Sequence, residues 1–166
     1  LWYRQPQWRL KVVDRNGKAG TLAAAPLPAP LHLLPALLAY PHLGWGDKLR
    51  VVAGLVRASL TDRHRPELER TSFYQWLKQQ GQTEVAIARL WNPLIVPSLN
   101  DDARDVSASM GLMILQEVLL RGRHRADVGY AVEGLSSAIG GPACEFLAAA
   151  GVRLKLGAPV RRILID

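Results

Sequence analysis

Ala25-Pro26-Leu27-Pro28-Ala29-Pro30-Leu31-His32-Leu33-Leu34-Pro35-Ala36-Leu37-Leu38-Ala39-Tyr40-Pro41 is the stretch on which the fold turns. Pro26, Pro28 and Pro30 stand two residues apart. Each lacks an amide hydrogen and restricts the residue before it, so this part forbids helix and breaks any strand ladder. It reads as an extended crossing between two bodies. Beyond it, Leu31, Leu33, Leu34, Leu37 and Leu38 predict a short, strongly apolar helix around Pro35.

Upstream, Arg9-Leu10-Lys11-Val12-Val13-Asp14 alternates charged and apolar residues, and Arg15-Asn16-Gly17-Lys18 precedes Thr21-Leu22-Ala23. Asn-Gly accepts the positive φ angles of tight hairpin turns, which predicts a β-hairpin. Downstream, Asp47 opens a helix with Leu49, Val52, Leu55, Val56 and Leu60 on one face, expected to be buried. Thr71 and Ser72 offer N-caps for residues 73–80, which Gly81 ends, and Thr83 caps a segment running up to Asn92-Pro93. Asp101, Asp102 and Asp105 crowd the front of a helix from about Val106 to Leu120, where the helix dipole favours negative charge. That helix is apolar nearly all round and is expected to be buried. A helical stretch from Gly134 to Gly151 follows, and then Val152–Leu156 and Val160–Ile165 read as two strands joined by Gly157-Ala158-Pro159. Strands, helices and strands again make an α+β arrangement. Residues 1–32 hold strands and the proline-rich crossing, 33–125 a mostly helical lobe, and 126–166 a helix and strands whose partners are expected outside the chain.

The 166 residues suffice for one ordinary domain, and 49 % of them are hydrophobic, which excludes disorder as the main state. Twenty-one Lys and Arg against 14 Asp and Glu leave a net +7. A lone cysteine, Cys144, excludes a disulfide framework or a Cys-rich metal site, favours a reducing compartment, and reads as a small buried hydrophobe. No apolar run reaches the ~18–20 residues of a membrane span, and Leu1-Trp2-Tyr3-Arg4 is no signal peptide. The missing initial Met suggests a piece of a longer chain.

Much catalytic chemistry is missing. His32, His42, His64 and His124 are scattered without metal-ligand spacing and read as surface or loop residues, so no metal is expected. No Gly-x-Ser-x-Gly elbow, Gly-x-Gly-x-x-Gly turn or Walker sequence is present. The basic clusters Arg121-Gly122-Arg123-His124-Arg125 and Arg161-Arg162 lack interleaved aromatics, so no nucleic acid is expected as partner. A membrane surface fits better. Leu33, Leu34, Leu37 and Leu38 would enter the lipid, with Tyr40 and Trp45 at the headgroups and Lys48 and Arg50 toward anionic lipid. An ordinary core helix explains the same leucines equally well.

Pro26-Leu27-Pro28-Ala29-Pro30-Leu31, Leu43-Gly44-Trp45-Gly46-Asp47-Lys48-Leu49, Ser72-Phe73-Tyr74-Gln75-Trp76-Leu77-Lys78-Gln79-Gln80-Gly81 and Trp91-Asn92-Pro93-Leu94, in this order, closely resemble the middle of phytoene desaturases and squalene-associated FAD-dependent desaturases. These belong to the flavin amine oxidase superfamily. The squalene-associated, hopanoid-pathway branch is the nearer likeness, through the step at Trp91, an Asn near Asn100 and the run Val106-Ser107-Ala108-Ser109. The likeness covers nearly the whole chain.

The resemblance implies an internal fragment of a two-lobed FAD-dependent oxidoreductase, with this chain as the helical substrate lobe and its flanking strands. The main FAD motifs would lie outside it, and Val160 in Pro159-Val160 would be the one surviving flavin contact. The partner implied is a long-chain isoprenoid, of squalene or carotenoid type, exchanging hydride with flavin. Trp91, Asn92, Leu94, Ile95 and Leu99, with Met110, Met113 and Ile114 behind them, would line its tunnel, although core packing accounts for each equally well. Asn92 stands where the family pattern suggests an acidic residue. A cytoplasmic, peripherally (monotopically) membrane-held protein is expected, inactive as this fragment alone. A stand-alone lipid- or membrane-binding helical module and a bare helical interaction domain are the competing readings.

Overall fold

A computed structural model describes residues 2–122 and 124–164. Expectations that fall on Leu1, Arg123 and Ile165 lie outside the described residues. The chain divides into two compact units, Gln5–Val128 and a second made of residues 2–4 with 129–164. Among the described residues there are seven helices and two small sheets, an α+β content as expected.

The larger unit begins with β2 (Arg9–Val13) paired antiparallel to β3 (Ala19–Ala23), in the register Leu10 opposite Leu22. Asp14 shapes the turn, its Oδ1 accepting from the amides of Asn16 and Lys18 at 2.9 Å each, while Gly17 takes φ +80°. The hairpin lies where Asn16-Gly17 predicts it. The proline segment then closes into a 3₁₀ turn, Leu31–Leu33, and α1 (Leu34–Ala39), with Pro35 in the first turn where its missing N–H costs nothing. The short leucine helix is therefore present, and it packs in the same unit as the hairpin and the later helices.

α2 (Trp45–Leu60) corrects the expected orientation. Its inward positions are Lys48, Val51, Gly54 and Ala58, whereas Leu49 and Leu60 are 70 % and 81 % exposed. Small residues win the inner face because the neighbouring chain comes close: a Cβ on Gly54 would lie 2.8 Å from Nε2 of Gln82. α3 (Pro66–Arg70) leads to α4 (Phe73–Gln79), which opens with a reciprocal Ser72/Gln75 capping box.

α5 spans residues 84–99 without a break, capped by Thr83 and widened to a π turn over Ile87–Trp91. It runs on past Asn92-Pro93, where the sequence reading stops it. Pro93 cannot donate to the carbonyl four residues back, Arg89, and the Tyr40 hydroxyl donates to that oxygen instead at 2.8 Å. Asn100, at φ 58°, ends the helix. α6 covers residues 108–120 and is capped by the Ser107 hydroxyl, which accepts from the Met110 amide. The expected helix-front aspartates belong instead to the preceding turn, where Asp101 and Asp102 accept from the amides of Asp102 and Arg104. α4 and α6 meet closely because position 111 is glycine: a Cβ there would overlap the Phe73 ring. Phe73 stacks on Trp76 at 5.8 Å and meets Trp91 edge-on at 6.5 Å, which puts three aromatics at the centre of the core.

In the second unit β1 (Trp2–Arg4) pairs antiparallel with β4 (Gly129–Ala131), and α7 covers residues 136–149, closed by Gly151 at φ +74°. The two predicted tail strands are not formed, since residues 152–164 have no ladder partner among the described residues and a strand without one leaves its backbone unpaired. Cys144 is exposed on α7, not buried. His32 and His42 are buried rather than at the surface, at 2 % and 4 % exposure.

Candidate functional site

Two apolar hollows are lined by residues of α1 and α2. The outer is a groove of about 140 Å³ between Leu31, Leu34 and Pro30 on one side and Val52, Val56 and Ser59 on the other, closed at its end by Leu120. The inner, about 40 Å³, is walled by Leu90, Trp91, Leu94, Val51 and Leu119. Leu33, Leu37 and Leu55 belong to both, so one layer of side chains separates groove from hollow. The inner one has room for little more than a single water-sized group.

The sequence of α1 and α2 explains the groove. Apolar residues on both helices exceed what one buried stripe uses, and the surplus faces outward: Leu31, Leu38, Trp45, Leu49, Val56 and Leu60 are all exposed. Six exposed large apolar residues on neighbouring stretches of chain are more than scattered single ones. Of the residues expected at a membrane, Leu34, Leu38, Trp45 and Arg50 are exposed and Leu33 is half-buried. Leu37, Tyr40 and Lys48 are buried and cannot face lipid. Lys48 turns inward because its ammonium donates to the Leu38 carbonyl and lies 4.9 Å from the centre of the Trp45 ring. Tyr40 is held by Arg89, and burial pushes its hydroxyl pKa up, with the Arg89 charge opposing.

Of the residues expected in the tunnel, Trp91 and Leu94 share the inner hollow. Ile95 and Ile114 are buried in the core, Leu99 and Met113 are half-buried, and Met110 is 42 % exposed. Asn92 is structural, since Nδ2 donates to Asp102 Oδ2 at 2.7 Å and Oδ1 accepts from the Ala103 amide. An amide does both at once, and an acid could only accept. Sequence reasoning missed Gln82, which is buried, donates from Nε2 to the Arg50 carbonyl at 2.7 Å and accepts from the Trp91 indole at 3.0 Å. It fixes the ring that walls the inner hollow. A lone Gln between a helix-ending Gly and a capping Thr carries no signal of that kind.

Beside the groove lies a polar recess of about 460 Å³ that shares Ser59 and Leu120 with it. Arg63 and Arg121 both grip Glu117 there, Arg63 at 2.9 Å. Those guanidiniums, Arg63 first, hold the Glu117 carboxyl below its ordinary range. Gln116 ties the recess to α2 through the Ala58 and Thr61 carbonyls, each at 2.7 Å.

Flavin finds no seat among these residues. Val160 is 80 % exposed on a segment without strand pairing, so no adenine pocket is built around it. Among the described residues no helix is long and apolar enough to cross a membrane, and no three His, Cys, Asp or Glu side chains gather as metal ligands.

No family model matches the chain. It is 24 % identical over 161 residues to the probable zeta-carotene desaturase of Synechococcus elongatus, covering 91 % of this chain and 33 % of that protein. It is 28 % identical over 165 residues to the zeta-carotene desaturase of Arabidopsis thaliana, covering 93 % of this chain and 29 % of the relative. The Capsicum annuum zeta-carotene desaturase aligns at 27 %, again over 93 % of this chain. The chain thus spans about a third of the length of the curated relatives it matches, and through nearly all of that span it is similar to carotenoid desaturases.

Proposed function

We propose that this chain is the substrate-side segment of an FAD-dependent isoprenoid oxidoreductase, a two-lobed enzyme whose flavin is held by residues beyond those described. The observation that carries the reading is the similarity to zeta-carotene desaturases along more than nine-tenths of the chain. The apolar groove lined by Leu31, Leu34 and Val56 supports it, because a hydrocarbon offers no polar handle and is bound by buried area, about 25 cal/mol per Å². The segment then binds and orients a section of polyene and excludes water, while the flavin, when bound elsewhere in the enzyme, supplies hydride exchange. The substrate is a carotenoid or squalene-type isoprenoid. The exposed apolar rim of α1 and α2 supports peripheral membrane contact, through which such a substrate would be collected.

The test is expression of the whole reading frame in hosts accumulating zeta-carotene or a squalene-type precursor. Flavin absorbance in the purified protein with a changed double-bond count in either isoprenoid is the expected result. A folded, flavin-free protein that leaves both untouched overturns the proposal.

A further inference from the structure

Leu33, Leu37 and Leu55 line both the outer groove and the inner hollow, with open space on either side of them. From this geometry we infer that these leucines are the specificity residues of the segment: they form the floor at which the end of an isoprenoid chain stops, and the hollow behind them is reserve space that a smaller side chain opens. The inference rests on the isoprenoid binding proposed above and adds to it a limit on chain length.

The lining leaves size as the selecting property. Among the residues around the groove only Ser59 carries a polar side-chain group, and its hydroxyl already donates to the Val56 carbonyl at 2.7 Å. An occupant is held by hydrocarbon contact alone, so the groove discriminates by how much chain it buries before an obstacle is met. Leu33 and Leu37 stand four residues apart where the 3₁₀ turn runs on into α1, which puts them on one face, and Leu55 of α2 completes the floor. The backbone around that floor is tied. The Tyr40 hydroxyl at the end of α1 donates to the Arg89 carbonyl of α5, and the Lys48 ammonium of α2 donates to the Leu38 carbonyl of α1. Gln82 donates to the Arg50 carbonyl of α2 and accepts from the Trp91 indole on α5. With the helices fastened to one another, shortening a floor leucine leaves space instead of letting them close, and that space adjoins the roughly 40 Å³ already open behind it.

The test is equilibrium dialysis of geraniol, farnesol and geranylgeraniol, each one isoprene unit longer than the last, against the 166-residue chain. In the unmodified chain the gain in affinity per added unit should stop at the length that reaches the floor. Leu55→Ala should bind the first isoprenol beyond that length about tenfold more tightly than the unmodified chain does, the lower end of what a small apolar group is worth in such a pocket. Ala36 lines the hollow and not the groove, so Ala36→Leu added to L55A should cancel the gain. Leu55→Val, which removes less, should shift the limit in the same direction to a smaller extent, and it carries the test if circular dichroism shows L55A unfolded. An affinity that climbs undiminished through geranylgeraniol in the unmodified chain, a limit unmoved in the folded variants, or a gain that survives Ala36→Leu would each overturn the floor while isoprenoid binding stands. If no isoprenol binds the folded unmodified chain saturably, the floor and the isoprenoid reading of this unit are refuted together.

Discussion

Tyr40 shows how one hydroxyl decides a helix. Its donation to Arg89 replaces the bond that Pro93 cannot make, and α5 passes through a proline step. Tyr40→Phe should cost about 1–3 kcal/mol, the usual penalty of an orphaned buried carbonyl. Pro93→Ala restores an amide donor at that position, so the double variant should lose clearly less than the sum of the singles, as read from urea unfolding midpoints. His32 makes a second residue-scale prediction. It is buried with Nδ1 unpartnered, and burial lowers its pKa below the ordinary value of 6.5, against a weaker opposing pull from the Leu119 carbonyl. A depressed histidine stabilises the fold above the unfolded pKa and loses that contribution as pH falls, because the unfolded chain binds the proton first. Stability should therefore decline on acidification from pH 7 to 5, by at most about 1.4 kcal/mol per pH unit. His32→Leu should flatten that slope, and an equal slope in the variant would refute the assignment.

At the scale of elements, the close approach of α4 and α6 depends on Gly111. Gly111→Ala should destabilise by about 1–3 kcal/mol through overpacking against Phe73, measurable as a lowered Tm. α2 makes the opposite case. Leu49→Glu and Leu60→Glu lie on the outer face, so each should change stability by less than about 0.5 kcal/mol while reducing vesicle binding. A large loss of stability would mean this face is internal after all. The elements most legible in the sequence are those fixed by neighbours along the chain: the Asn16-Gly17 hairpin, the Ser72 and Thr83 caps, the Gly81 stop. Errors fall where distant residues decide. Periodicity misassigns the face of α2 because it records where large apolar residues lie, and packing chooses the small ones that let Gln82 approach. α5 runs past Pro93 because of a tyrosine 53 positions earlier. The tail strands do not form for want of a partner, which no local pattern supplies.

For the whole molecule, the candidate site lies in one of the two units. The Gln5–Val128 unit holds both apolar hollows and the recess, and residues 129–164 carry exposed apolar side chains such as Phe146, Leu156 and Ile163. Of the expected tunnel, Trp91 and Leu94 line the inner hollow, and of the expected membrane set three residues are internal. The residue types are readable in the sequence, but their directions depend on bonds such as Gln82 to Trp91 that only the fold reveals. On the proposed reading the larger unit binds an isoprenoid in its apolar groove, one layer of side chains from Trp91. Titrating the 166-residue chain with zeta-carotene, whose polyene quenches nearby indoles, tests it most directly, with Trp91→Phe as the comparison and squalene as a non-absorbing competitor. Saturable quenching that is reduced in Trp91→Phe and reversed by squalene is the predicted result. Quenching that rises linearly without saturation, or is identical in a folded Trp91→Phe variant, would contradict the claim.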